Sequence, residues 1–301
     1  MSAPSMPDTS DRLIFAIPKK GRLYEKSLNL LENIGVQFYR KPRHDIALVS
    51  NLPVAIVFLP AADIAKYVAE GNVDLGITGI DIIQESQCED RVQQLLKVGF
   101  GKCKLQVQAP VASGVSSSEE LVGKRIVTSF PHLTAKHFNE LEKALGKEAG
   151  STRIQFVSGS VEAACGLGLA DGIVDLVESG ETMKAAGLWA IDTIIPTESI
   201  LIGNQKTRFP ELAEKLRARV EGVITAKKYV LCQYNIHRDS LPAAQKVAPG
   251  RQSPTVTSLE QSGWVGVSVM IERNEVADKM DQLKSLGATD ILILQISNCR
   301  V

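Results

Sequence analysis

The sequence has no cysteine pair at a metal or redox spacing. Five cysteines occur, Cys88, Cys103, Cys165, Cys232 and Cys299, an odd number with no CxxC among them. A disulfide framework and a structural zinc site are therefore not expected, and buried free thiols in a reducing compartment are. Net charge is also lacking: 34 basic residues balance 34 acidic ones. Without a bulk basic footprint no nucleic-acid partner is expected, and any anion must be held by a local site. The opening MSAPSMPDTSD has neither a basic nor an apolar stretch. It reads as a short disordered lead-in and not as a secretory signal. Apolar runs such as Val54–Pro60 are too short to span a bilayer, so no membrane association is expected. These absences predict a soluble, cytoplasmic protein. Familiar catalytic signatures are missing too: HExxH, GxSxG, Walker A and GxGxxG do not occur, and the four histidines show no metal spacing.

What is present is an ordinary globular balance, 44% hydrophobic and 23% charged over 301 residues. That length suggests two or three domains. Strand and helix patterns alternate through the first two thirds. Leu13–Ile17 and Val54–Leu59 read as buried strands, Leu23–Ile34 carries helical spacing, and Asp74–Thr78 reads as the next strand. A second unit begins near residue 104, with strands at Lys104–Pro110, Arg125–Ser129, Arg153–Val157 and Ile173–Val177 and helices at Leu133–Leu145 and Val161–Leu169. Ile194–Ile202 reads as one strand returning to the first lobe. The expected class is α/β with a largely parallel sheet, as a two-lobed, periplasmic-binding-protein-like catalytic region around a cleft. The tail reads β-α-β-β-α-β: Ile224–Tyr234, Leu241–Val247, Pro254–Thr257, Trp264–Ile271, Asn274–Leu286 and Asp290–Ile296. That order predicts a ferredoxin-like, ACT-like module with a regulatory role. The expected organisation is lobe I at 1–103 and 194–222, lobe II at 104–193, and a regulatory domain at 223–301.

Ile173–Met183, IVDLVESGETM, carries the strongest chemical signal. An apolar strand delivers acidic residues and then Ser-Gly-x-Thr. Backbone N–H groups of such a loop converge on a phosphate, and Gly180 lets the backbone approach it closely. Ser179 and Thr182 add hydroxyl donors beside Glu181. Asp175 and Glu178 are placed to bind ribose hydroxyls or a magnesium shell. The competing account is a helix cap by Ser179. After the first strand comes Pro18–Arg22, where Lys20, Gly21 and Arg22 suit a polyphosphate, or else form a solvated basic turn. Thr78 and Gly79 end a strand before a helix, and Ser158, Gly159, Ser160 and Glu162 form a similar junction. Turn chemistry and capping are the better account of Thr78–Gly79, and capping by Ser160 accounts equally well for the second junction.

Together these segments resemble the ATP phosphoribosyltransferases, first enzymes of histidine biosynthesis, in their long, fungal-type form. Glu162, Gly168, Ala170, Ile173, Asp175, Leu176, Ser179, Gly180, Thr182 and Met183 fall on the family signature. AIPKKGRL, DLGITGID, IVTSFPHLT, VSGSVEAA, GWVGVSVMIER and the closing SNCRV also look like family segments. The resemblance implies that N1 of ATP attacks C1 of phosphoribosyl pyrophosphate (PRPP), with Mg²⁺ as cofactor and no covalent protein nucleophile. It places PRPP on Asp175 and Glu178–Thr182. Lys20, Gly21, Arg22, Thr78, Gly79, Ser158–Ser160 and Glu162 would face ATP or pyrophosphate. L-Histidine would inhibit through Asn235, Arg251, Thr255 and Asp290, with Asn235 standing where bacterial relatives would carry aspartate. The family resemblance also implies homo-oligomers, dimers and hexamers. The alternatives are a solute-binding protein, which would need no SGxT loop with paired acids, and a ligand-sensing transcription factor, for which no basic face is evident.

Overall fold

A computed structural model describes residues 8–300. Most of the predicted lead-in, residues 1–7, and the last residue of the SNCRV segment lie outside the described residues. The chain divides into two units, one of residues 8–31 and 36–214, the other of 32–35 and 215–300.

The first unit opens with β1 (Leu13–Pro18), α1 (Tyr24–Asn33), β2 (Ile46–Leu48), β3 (Val54–Leu59), α2 (Ala61–Ala69), β4 (Leu75–Gly79), α3 (Ile80–Glu85) and β5 (Val92–Lys97). It continues with β6 (Cys103–Pro110), β7 (Arg125–Thr128), α4 (Pro131–Ala144), β8 (Arg153–Phe156), α5 (Ala163–Gly166), β9 (Gly172–Val177) and α6 (Glu181–Ala185). Then come β10 (Leu188–Thr197), β11 (Ser199–Asn204) and α7 (Pro210–Lys228), whose later turns belong to the second unit. Two sheets result, one ordered β2-β3-β1-β4-β11-β5 and the other β10-β6-β9-β7-β8.

These sheets are mixed, which corrects the expectation of a largely parallel one. Only β1–β3 and β1–β4 run parallel in the first sheet, and only β7–β8 and β7–β9 in the second. The single strand expected at Ile194–Ile202 is two. Their break falls at Glu198, after which β11 joins the other sheet, antiparallel to β4 and β5. Central strands such as β1 and β4 are buried along nearly their whole length, which is why they read as continuous apolar runs. Ile64, Ala65 and Val68 of α2 pack with Ala16, Val73 and Ile202 beneath the first sheet. Leu133 and Phe138 of α4 pack with Leu105, Val107, Ile126 and Val174 beneath the second.

The second unit holds β12 (Tyr229–His237), α8 (Leu241–Val247), β13 (Thr255–Ser258), β14 (Trp264–Glu272), α9 (Val276–Ser285) and β15 (Thr289–Gln295). Its sheet is ordered β13-β14-β12-β15 and is antiparallel throughout. Residues 224–228, expected to begin the first strand, are the last turns of α7. In β12 and β14 burial alternates residue by residue, so Val230, Cys232, Tyr234 and Ile236 meet Val265, Val267, Val269 and Ile271 in one core. The C-terminal segment packs against α7 at Gly222, where a Cβ would lie 2.5 Å from the Cys299 carbonyl oxygen. Gly222 therefore admits the tail, and its own carbonyl accepts the Cys299 N–H at 3.1 Å. Among the described residues no helix is long and apolar enough to cross a membrane.

Candidate functional site

The first half of β9 is buried and its second half, from Asp175, emerges toward solvent. The chain then turns at Gly180, whose φ of +79° is a left-handed conformation that strains any side chain. This turn leaves Glu178, Ser179 and Thr182 exposed. The Ser179 hydroxyl accepts the Glu181 N–H at 3.4 Å, a long contact that caps α6 only weakly. Because α6 has five residues, its dipole is small, and the anion-binding capacity rests on loop amides and hydroxyls.

Asp175 sits at the base of the loop. Its Oδ1 accepts the Leu176 N–H at 2.8 Å. Burial, reinforced by the nearby Glu162, pushes its carboxyl up to about 6, against the opposing pull of the Leu176 N–H and of Arg22. A carboxylate with that affinity for protons favours a site where hydroxyls or a cation will meet it. Glu178, at the rim, meets the other lobe: Lys26 Nζ lies 3.1 Å and Arg22 Nη1 3.7 Å from its carboxylate. Arg22 also donates to the Gly101 carbonyl at 3.1 Å. Gly21, with φ +86°, makes the turn that delivers Arg22, while Lys20 stays exposed.

Thr78 is fully buried and its hydroxyl has no partner, so it stands behind the wall of the cleft. Gly79 is required there: a Cβ would fall 2.0 Å from Asp81 Oδ1. Asp81, two residues beyond Gly79, is a buried carboxylate that the sequence did not single out. It is 1% exposed at the start of α3. Thr197 at the end of β10 donates to its carboxylate at 2.6 Å and accepts its backbone N–H at 3.1 Å. Burial raises the Asp81 carboxyl, against the Thr197 bond and Arg22. An aspartate two residues after a strand-ending Thr-Gly turn was the one available signal for it; Thr197, 116 residues away, offered none.

Ser158, Gly159 and Ser160 are exposed, and Glu162 is half-buried beside Asp175. The Ser160 carbonyl, and not its hydroxyl, accepts the Ala163 N–H at 3.2 Å, so its side chain does not cap α5. The two lobes also meet at Glu85 of α3, whose carboxylate accepts the His132 and Leu133 N–H groups of α4 at 2.9 Å each. No side chain of its own caps α4 at Phe130. Among the described residues no group of three or more His, Cys, Asp or Glu is placed to hold a metal ion.

In the second unit, Asn235, Thr255 and Asp290 line one cavity of about 270 Å³. Asn235 Nδ2 donates to Asp290 Oδ2 at 3.0 Å. Arg251 lines a neighbouring cavity of about 390 Å³, which shares Thr255.

The profile of the family described as ATP phosphoribosyltransferase matches residues 60–222, and that described as HisG, C-terminal domain, matches residues 226–298. An ATP phosphoribosyltransferase of Debaryomyces hansenii is 53% identical over 296 residues, covering 97% of each chain. One from Saccharomyces cerevisiae is 52% identical over 293 residues, covering 97% of this chain and 98% of its own. A solved structure, the ATP phosphoribosyl transferase (HisG:HisZ) complex from Thermotoga maritima, is 28% identical with a TM-score of 0.56. It covers 69% of this chain and 98% of its own.

Proposed function

Since the chain belongs to the ATP phosphoribosyltransferase family, we propose that it joins N1 of ATP to C1 of the ribose of PRPP and releases pyrophosphate, the first step of L-histidine biosynthesis. The observation that carries this reading is the left-handed Gly180 turn, which follows directly on the strand that carries the half-buried Asp175 carboxylate. The 5-phosphate of PRPP rests on the amides and hydroxyls of Ser179–Thr182. Asp175 then reaches the ribose hydroxyls, with Glu178 at the rim. The reaction needs no protein nucleophile, because the purine nitrogen is itself the attacking group. Catalysis is positioning of two anions and stabilisation of charge on the leaving group. Arg22, already tied to Gly101 and Glu178, is a cation near the reacting region.

The donor set here fits magnesium carried mainly by substrate. Mg²⁺ keeps water and phosphate ligands and takes only one or two carboxylates, and Asp175 and Glu178 are the candidates. The ion would neutralise charge on the departing pyrophosphate.

The cavity of Asn235, Thr255 and Asp290 supports a second reading, inhibition by L-histidine. Asp290, held by Asn235, supplies the carboxylate for an amino group. On this reading the antiparallel β-α-β-β-α-β unit serves as the regulatory, ferredoxin-like domain and the two mixed sheets serve as the catalytic lobes. Family likeness further supports a cytoplasmic homo-oligomer, dimeric and hexameric. The decisive experiment incubates the full chain with ATP, PRPP and magnesium and follows the ultraviolet absorbance of phosphoribosyl-ATP. Absence of turnover would sink the assignment.

A further inference from the structure

Beside the loop lies a cavity of about 620 Å³ that is rich in lysine. Lys97, Lys102, Lys104 and Lys184 line it, with two carboxylates, Glu178 and Glu198. Both carboxylates are already matched. Lys97 Nζ meets Glu198 at 2.5 Å, and Glu178 is met by Lys26 and Arg22 from outside the cavity lining. Lys102, Lys104 and Lys184 form no ion pair or side-chain hydrogen bond among the described residues. Three exposed ammonium groups therefore face one cavity uncompensated, in a chain whose net charge is +0.

The fold holds them there. Lys102 and Lys104 flank Cys103, which is buried, so in extended chain they project to the same, opposite side. In the sheet Lys104 pairs with Val177, the residue preceding Glu178. One lysine thus stands at the root of the loop. Lys184 lies in α6, which follows the loop, and lines the same cavity. Ammonium groups on flexible stems are suited to the more diffuse charge of a chain of phosphates.

We propose that Lys102, Lys104 and Lys184 form a polyphosphate subsite adjoining the loop. The subsite deepens the activity proposed above and rests on it for the source of the ligand. Two substrate groups share this chemistry, the triphosphate of ATP and the pyrophosphate of PRPP.

The test compares the full-length chain with the double variant Lys102→Ala/Lys104→Ala and, from α6, Lys184→Ala. Calorimetry measures binding of inorganic tripolyphosphate and pyrophosphate without turnover. Steady-state kinetics then give KM for ATP and for PRPP. Each variant should weaken binding of at least one polyphosphate by about tenfold or more, the scale of a lost charge-assisted contact. A rise in KM for ATP alone assigns the triphosphate. A rise in KM for PRPP, with weaker pyrophosphate inhibition, assigns the pyrophosphate. Unchanged binding and unchanged KM values in variants that keep the native melting temperature would overturn the subsite. Native protein that binds tripolyphosphate but forms no phosphoribosyl-ATP would instead overturn the proposed reaction and leave the subsite standing.

Discussion

Replacing Asp175 with asparagine should stabilise the ligand-free enzyme while weakening PRPP. Burial holds the Asp175 carboxyl at about 6 against an ordinary 3.8. That is about two pH units at about 1.36 kcal/mol each, a ceiling of about 3 kcal/mol. Partial solvation at the loop base reduces it to roughly 1–3 kcal/mol. The sign follows from linkage. A carboxyl whose folded value is raised imposes no penalty below the unfolded value. The penalty grows between 3.8 and about 6 and is full above that. Asparagine removes it and keeps the oxygen that accepts the Leu176 N–H. Thermal unfolding followed from pH 4 to pH 8 should show the variant gaining roughly 2–12 °C at pH 8, at about 2–4 °C per kcal/mol, with the gain shrinking toward pH 4. Its KM for PRPP should rise by one to two orders of magnitude, about 1.5–3 kcal/mol of charge-assisted bonding. A difference in melting temperature that is constant across this pH range, or a variant less stable at pH 8, would refute the electrostatic account.

Four other outcomes are expected. Thr182→Ala should raise KM for PRPP about tenfold, at about 1.4 kcal/mol, and leave KM for ATP within about twofold, as initial rates would show. Gly79→Ala should destabilise the chain by about 1–3 kcal/mol in urea unfolding, because its Cβ would land 2.0 Å from Asp81 Oδ1. Glu142→Ala should cost about 2–4 kcal/mol by the same assay; its buried carboxylate accepts from Gly150 N at 2.6 Å, Thr152 N at 2.7 Å and Ser151 Oγ at 2.9 Å. Asp290→Ala should raise the histidine concentration for half-inhibition about tenfold or more without changing uninhibited turnover, and unaltered sensitivity would remove that cavity from regulation.

Much of this was legible where the chemistry is contiguous. β1, β3 and β9 were readable because each is an apolar run closed by Pro, Gly or acidic residues, and the loop was readable because a strand delivers all its groups within a few residues. The end of α7 was misread because Ile224 begins a run into Tyr234 that suits either state, and packing settles it: Val220, Val223 and Ala226 are buried on a helical face. The joined strand at Ile194–Ile202 failed for another reason. β10 and β11 are similar in composition and differ in their partners, and pairing is a long-range property. For the same reason the Asp81–Thr197 pair and the convergence of lysines from β5, β6 and α6 on one cavity left no local trace.

The contact at Glu85 has a practical side. Helix α4 relies on a carboxylate from the opposite lobe to cover its first amides. If the lobes part, two N–H groups lose their acceptors together and turn to water. Hydrogen exchange at His132 and Leu133 should therefore report the population of states in which the Glu85 contact is broken, with no ligand and no engineered reporter.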